Sequence, residues 1–282
     1  MREPIISHVS DTARWVAVYR AWETARPDAL FSDPLAERLA GERGRAIAAA
    51  TPRAAVTGWA AITRTRLIDD LVLDAIAHGC DRVLNLAAGF DTRPYRLALP
   101  RGLTWIEADL PAVMDEKQRL LADQTPVCAL EREAVDLADS AARADLLRRA
   151  VAGAANALVI TEGLVVYLTD QTVAALARDL AAEPRIRGWV LDMMSPAMRA
   201  MISDGMGGRH PARALVRFAP ADGVAFFEPF GWRARDVRPI LRSAIRFRRA
   251  PLLMRLLSLL PDPDPRRLGK ARWSAVVRFE RA

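Results

Sequence analysis

The residues of this chain best suited to chemistry stand at the ends of short apolar runs. The stretch "RVLNLAAGFDTRPYRL", residues 82–97, passes from one such run through Ala87-Ala88-Gly89 into Asp91-Thr92-Arg93. Side chains that small let a ligand lie close against the backbone. The next run closes on Glu107 and Asp109, and Asp109, twenty residues beyond Gly89, is suitably placed to accept hydrogen bonds from ribose hydroxyls. A third run is followed by Asp136-Leu137, and a fourth by Thr161-Glu162-Gly163. Taken singly, each has an ordinary explanation as a turn, a helix cap or a solvated charge. In this order they describe a nucleoside site rich in acceptors. A full G-x-G-x-x-G is absent, because position 87 is Ala and position 92 is Thr. A pyrophosphate needs backbone amides at an open helix start, and acids at every run end argue instead for a nucleoside without phosphates. A dinucleotide oxidoreductase is disfavoured on the same ground.

Such residues converge only if the runs are parallel strands, since an open parallel sheet binds ligands beyond the carboxyl ends of its strands. The candidate strands are 82–87, 103–108, 130–137, 157–163, 188–194 and 273–280. They alternate with helical stretches, as βαβ units do. Runs one, four and five are almost continuously apolar, which central strands covered on both faces require. The last alternates more and reads as an edge-proximal antiparallel strand.

Two helices precede the sheet. Residues 11–25 place Trp15, Tyr19 and Trp22 on one face, either docked on the core or walling a ligand. Residues 57–78 make a longer helix ended by Gly79. Its apolar stripe of Ile68, Leu71, Val72, Ala75 and Ile76 includes Arg64, while Arg66 points away with Asp70. A buried guanidinium needs a partner. An internal carboxylate and a ligand carboxylate both meet that need.

Composition bounds the rest. The 282 residues suit one large domain, and a 51% hydrophobic content with no apolar run near 20 residues argues against a membrane span. The beginning of the chain lacks a signal-peptide pattern, so the cytoplasm is expected. Cys80 and Cys128 show neither metal nor redox spacing and read as packing residues; no metal site is expected. The net charge is +7, and only Lys117 and Lys270 among the 41 basic residues are lysine. Arginines scattered beside acids read as solvated surface rather than a nucleic-acid footprint. No nucleic-acid partner is expected, and a monomer or homodimer is.

The segments "RVLNLAAGFDTRPYRL", "WIEADLPAVMDEKQRLL", "AVDL" and "TEGLVVYLTDQTVAALARDL" resemble class I S-adenosylmethionine-dependent methyltransferases of the leucine carboxyl methyltransferase branch, which includes bacterial polyketide O-methyltransferases. "DTARWVAVYRAWETARPDALFSDPLAERLAG" and "FFEPFGWRARDV" extend the resemblance over nearly the whole chain. The resemblance implies a doubly wound, Rossmann-like seven-stranded α/β sheet in a single domain, 1–282. An N-terminal helical cap, 1–55, and a substrate-side insertion, 195–272, would complete it. It further implies S-adenosylmethionine as cofactor: Arg64 on the methionyl carboxylate, Ala87 and Gly89 beside the methionine part, Asp109 on the ribose, Asp136 and Leu137 flanking the adenine, and Glu162 near the amino group. Tyr167 would face the substrate. One departure stands out: Ala87 occupies a position where the family usually has Gly. Glu107 competes with Asp109 for the ribose, and the D-L-P context favours Asp109.

A sulfonium methyl is already activated, so the protein must align a nucleophile and exclude water. A hydroxyl acceptor benefits from a general base, whereas a carboxylate, with a pKa near about 4, is already ionised. Of three histidines, His78 reads as a helix C-terminal residue, His8 lies in an unpatterned segment, and His210, in the Gly-rich "SDGMGGRHP", is the best base candidate. No other base is evident, which favours a carboxylate or an acidic phenol. Trp15, Tyr19, Tyr167 and Phe226 are the expected substrate pocket, and the acceptor is expected to be a small-molecule or peptidic natural product. Two alternatives stand beside this reading: a cofactor-binding interaction protein without transfer activity, and a nucleic-acid methyltransferase, which lacks its N/D-P-P-Y element here.

Overall fold

In a computed structural model, described here for residues 9–50, 58–205, 216–255 and 261–282, seven strands form one sheet in the order β3-β2-β1-β4-β5-β7-β6. The strands are β1 (Arg82–Leu86), β2 (Thr104–Asp109), β3 (Ala129–Ala134), β4 (Ala157–Thr161), β5 (Ile186–Met194), β6 (Trp232–Pro239) and β7 (Ser274–Arg281). Strands β1 to β5 are parallel, and β7 runs antiparallel between β5 and β6. The order reverses between β1 and β4, so the carboxyl ends of these two strands flank the switch-point crevice.

Burial explains which runs were legible. Every residue of β4 is buried, as a strand covered by helices on both faces must be. On one face a large core runs from Leu84 and Leu86 through Val159, Trp189 and Leu191 to Phe279. On the other, Val83, Trp105, Leu158, Ile160 and Val190 pack against Leu67, Ile68, Leu71 and Val72.

The longer helices are α1 (Val9–Thr24), α2 (Ala36–Ala50), α3 (Trp59–Ala77), α4 (Pro111–Leu120), α5 (Ser140–Ala150), α6 (Asp170–Ala182), α7 (Pro196–Gly205) and α8 (Ile240–Arg246). Gly79, just past α3, has φ +92°, the left-handed conformation that glycine adopts without strain. Arg66 pairs with Asp70 at 2.9 Å, on the side away from the core as expected. Both cysteines are buried free thiols. No helix of the described residues is long and apolar enough to cross a membrane. The span 195–272 supplies more than an insertion, since it contains β6, a strand of the sheet itself.

The N-terminal helices fasten directly onto the sheet's ligand edge. Arg20 donates from Nε to Asp33 at 2.8 Å and from Nη2 to the Phe90 carbonyl at 2.6 Å. Thr92 Oγ1 donates to the same Asp33 oxygen at 2.7 Å. The loop after β1 is thus held from above by α1 and the turn that follows it. A second latch joins Glu23, fully buried at the end of α1, to Arg249 at 2.7 Å.

Candidate cofactor and acceptor site

The turn after β1 is built on left-handed backbone. Ala87 has φ +55° and Gly89 has φ +47°. Gly89 adopts this at no steric cost, whereas an alanine is strained there. The departure at position 87 is therefore a backbone matter: the turn requires a conformation for which glycine is the natural residue.

Asp109 ends β2 beside this turn. Its Oδ2 accepts the Gly89 amide at 2.7 Å and its Oδ1 the Leu110 amide at 2.7 Å. Burial raises its pKa, and the two amides together with the Lys117 charge offset the rise only in part. Glu107, two residues earlier on the same face of the strand, is fully buried and spends its oxygens on Lys117 at 2.7 Å and Arg132 at 3.0 Å. The structure separates the two acids: Glu107 serves a buried ion cluster, and Asp109 stands at the strand end. Asp136 is exposed and accepts the Ala138 amide at 2.9 Å. The Leu137 carbonyl is held by Arg143 at 2.6 Å.

Arg64 reaches across the crevice from α3. Its Nε donates to Glu162 at 3.0 Å and its Nη1 to Asp192 at 3.1 Å. The partners of this largely buried arginine are thus internal carboxylates of the chain itself. Glu162 also pairs with Arg93 at 2.9 Å, and Arg93 with Asp91 at 2.6 Å and Asp69 at 2.7 Å. Arg96 closes the series on Asp69 at 2.7 Å. Burial would raise the carboxyls of Glu162 and Asp91, but Arg93 next to both, with Arg64 beside Glu162 and Lys117 near Asp91, holds each below its ordinary value. Sequence reading missed Asp69, Asp91, Arg93, Arg96 and Asp192 as members of this network. The available signal was Asp192, a lone acid inside the apolar run "GWVLDMM".

The network sets four carboxylates, Asp69, Asp91, Glu162 and Asp192, against three guanidiniums, Arg64, Arg93 and Arg96. Arg64 keeps Nη2 without an acceptor among the described residues, and Glu162 stands beside it, so a cation for a carboxylate and an anion for an ammonium lie together, as the amino-acid end of a sulfonium cofactor requires. The residues present fit S-adenosylmethionine.

Tyr167, expected to face the substrate, follows β4 in a single 3-10 turn, Val165–Tyr167, and is 38% exposed. Burial of its surroundings raises the phenol pKa, Arg64 counteracts this and Asp192 adds to it, so the hydroxyl stays protonated at neutral pH. Trp15 and Tyr19 pack at a tilt, 5.8 Å between centroids, and Trp22 meets Tyr19 edge-on at 5.7 Å. Tyr19 lies so close to Gly58 that a Cβ there would sit 2.5 Å from its ring. Phe226 belongs to another aromatic cluster, packed on Phe218, Phe227 and Phe230. That cluster reaches the Tyr167 turn through the Phe218 amide, which donates to the Val166 carbonyl at 3.2 Å. His78 is exposed at the far end of α3, roughly 21 Å along the helix from Arg64 at 1.5 Å per residue. His8 and His210 lie outside the described residues.

The family model for leucine carboxyl methyltransferases matches residues 13–181, from the middle of α1 to the end of α6. The chain belongs to the leucine carboxyl methyltransferase family. Two relatives support the assignment across most of its length. A Streptomyces coelicolor protein named for S-adenosyl-L-methionine-dependent methyltransferase activity is 33% identical over 245 residues, covering 81% of this chain and 84% of its own. A Mycobacteroides abscessus protein with the same kind of name is 35% identical over 216 residues, covering 72% and 66%. The fold matches that of a DUF574-family protein from Streptomyces avermitilis, with a TM-score of 0.58 at 14% identity over 96% of this chain and 97% of the other. This member of the leucine carboxyl methyltransferase family has the class I methyltransferase sheet, with its strand-end acids and its arginine network at the expected edge.

Proposed function

We propose that this S-adenosylmethionine-dependent methyltransferase is an O-methyltransferase acting on a carboxylate of a small-molecule or peptidic natural product of polyketide type. The observation that carries the choice of carboxylate is the state of the acids. Among the described residues, Glu162 and Asp192 are tied to Arg64, and Asp91 to Arg93; Glu162 and Asp91 are held below their ordinary values and are poor bases. An acceptor that is already ionised needs none.

In this reading Arg64 pairs with the methionyl carboxylate and Glu162 with the amino group. The turn at Ala87 and Gly89 lies against the methionine part, Asp109 accepts the ribose hydroxyls, and Asp136 and Leu137 flank the adenine. The cofactor, when bound, supplies a methyl group on a positively charged sulfur, activated for in-line transfer. Tyr167, protonated at neutral pH, donates a hydrogen bond that orients the acceptor oxygen. Trp15 and Tyr19, on the helix that covers the β1 loop, exclude water from the acceptor side, and Phe226 closes the pocket from the other.

The test is transfer from methyl-labelled S-adenosylmethionine to a panel of carboxylic acids and phenols, followed by mild alkali. A methyl ester releases labelled methanol and an aryl methyl ether does not. Label stable to alkali would overturn the carboxylate assignment. Unchanged cofactor binding in Asp109→Ala and Arg64→Ala, by calorimetry, would overturn the site.

A further inference from the structure

Asp192 sits at the carboxyl end of β5, next to the end of β4, whose Thr161 pairs in register with Leu191. It is 6% exposed and bridges two partners. Its Oδ1 accepts the Gly163 amide at 2.6 Å, and its Oδ2 accepts Arg64 Nη1 at 3.1 Å. Gly163 has φ +65°, and a Cβ built there would lie 3.7 Å from Arg64 Nη2. The same carboxylate thus fixes the left-handed turn after Glu162 and aligns the guanidinium that passes over it. Arg64 has five N–H donors in a rigid plane. Nε is committed to Glu162 and one Nη1 hydrogen to Asp192, while Nη2 has no hydrogen-bond acceptor among the described residues. The missing side chain at Gly163 leaves that edge uncovered.

We propose that Asp192 is a positioning residue for cofactor recognition: it orients Arg64, through the shared Gly163 turn, so that the uncommitted guanidinium edge meets the carboxylate of the amino-acid end of the cofactor. The proposal rests on the assignment of Arg64 under Proposed function. It also explains why an acid interrupts the apolar run Gly188–Met194 of β5. An asparagine at 192 keeps one acceptor oxygen but turns an NH2 group toward a guanidinium donor, so either the Gly163 turn or the Arg64 fork loses its support.

The experiment compares two ligands on the full chain by calorimetry: S-adenosylhomocysteine, which has the amino-acid end, and 5′-methylthioadenosine, which lacks it. Asp192→Asn is expected to weaken S-adenosylhomocysteine roughly 10- to 100-fold, the loss of a charge-assisted hydrogen bond, and to leave 5′-methylthioadenosine within about threefold. Asp192→Glu, which keeps the charge, is expected to show a smaller loss confined to the same ligand. Equal losses for both ligands in either variant would mark Asp192 as merely structural and overturn the proposal, as would no loss for either. Arg64→Met separates the two levels of inference. If it discriminates between the ligands and Asp192→Asn does not, only the positioning role fails; if it does not discriminate, the Arg64 assignment fails with it.

Discussion

Asp109 and Gly89, twenty residues apart in sequence, are joined by one hydrogen bond, in which the Gly89 amide donates to Asp109 Oδ2 at 2.7 Å. The bond ties the end of β2 to the turn after β1 and keeps a buried acid at the mouth of the site. Burial raises the pKa of Asp109 in the folded chain. For an acid this means the fold binds the proton more tightly than the unfolded chain does. The group therefore lowers stability as pH rises from 3.8, its ordinary value, through its folded pKa. Asp109→Asn removes the buried charge but keeps only one acceptor for the Gly89 and Leu110 amides, so the two effects oppose and thermal stability at pH 7 should change little, while cofactor affinity falls roughly 10- to 100-fold. Wild-type affinity should also decline on acidification at a pH above the usual aspartate range. Melting curves and calorimetry on the same samples check both, and a variant with lower stability and intact affinity would contradict this account.

Ala87→Gly is expected to stabilise the protein. The φ of +55° costs an alanine about 1 kcal/mol or more, and a glycine relieves it, less the added freedom of the unfolded chain. A net gain of roughly 0.5–1 kcal/mol, a few degrees in Tm at most, should appear in chemical and thermal denaturation. A fall in Tm would mean that the alanine methyl makes contacts worth more than the strain.

Glu162 and Asp91 have depressed pKa values in the fold. The stability they contribute is complete above their ordinary values of 4.5 and 3.8 and is lost as pH falls through the folded ones. Glu162→Gln leaves Arg64 and Arg93 each short of a buried partner. A loss of about 3 kcal/mol is expected at pH 7, with a shallower decline between pH 5 and pH 2 than in the wild type. Urea titrations across that range measure both, and an unchanged acid limb would count against the network as its source.

The Glu23–Arg249 latch should govern the N-terminal cap. Glu23 is fully buried and Arg249 nearly so. Removing one charge from such a pair costs about 3–5 kcal/mol if the whole fold depends on it. Glu23→Gln should show faster amide exchange in α1 than in β4, because α1 opens locally while the sheet stays closed. Uniform acceleration over both would show that the cap and the sheet unfold together.

How much of this was legible in the sequence depends on what each residue answers to. Strands β1, β4 and β5 announce themselves because both faces are buried. β6 does not: "WRARDVRP" has one neighbouring strand, mostly half-buried residues and three arginines, and in sequence it resembles a charged loop. The order of acids at the strand ends was visible, since parallel topology turns chain order into spatial order. The pairing of Arg93 with Glu162 was not, because it depends on how far each side chain reaches across the switch point. The choice between Glu107 and Asp109 was equally hidden. Both lie on one face of β2, and what distinguishes Glu107 is its pairing with the buried Lys117 on α4 and with Arg132 on β3. Arg64 was legible as a buried charge in search of a partner, but Asp192, one of its two partners, was masked by the apolar strand around it.

The wedge position of β7 has a consequence for how the protein is made. A strand at residues 232–239 has no sheet neighbour until residues 274–281 emerge, and β5 keeps an open ladder over the same interval. At roughly 5–20 residues per second that interval lasts about 2–8 s during synthesis. Two unpaired strand edges are exposed to other nascent chains throughout it. Arg233, Arg235 and Arg238 on β6 put like charges along one of those edges, so a strand that looks poorly suited to a sheet is well suited to waiting for one.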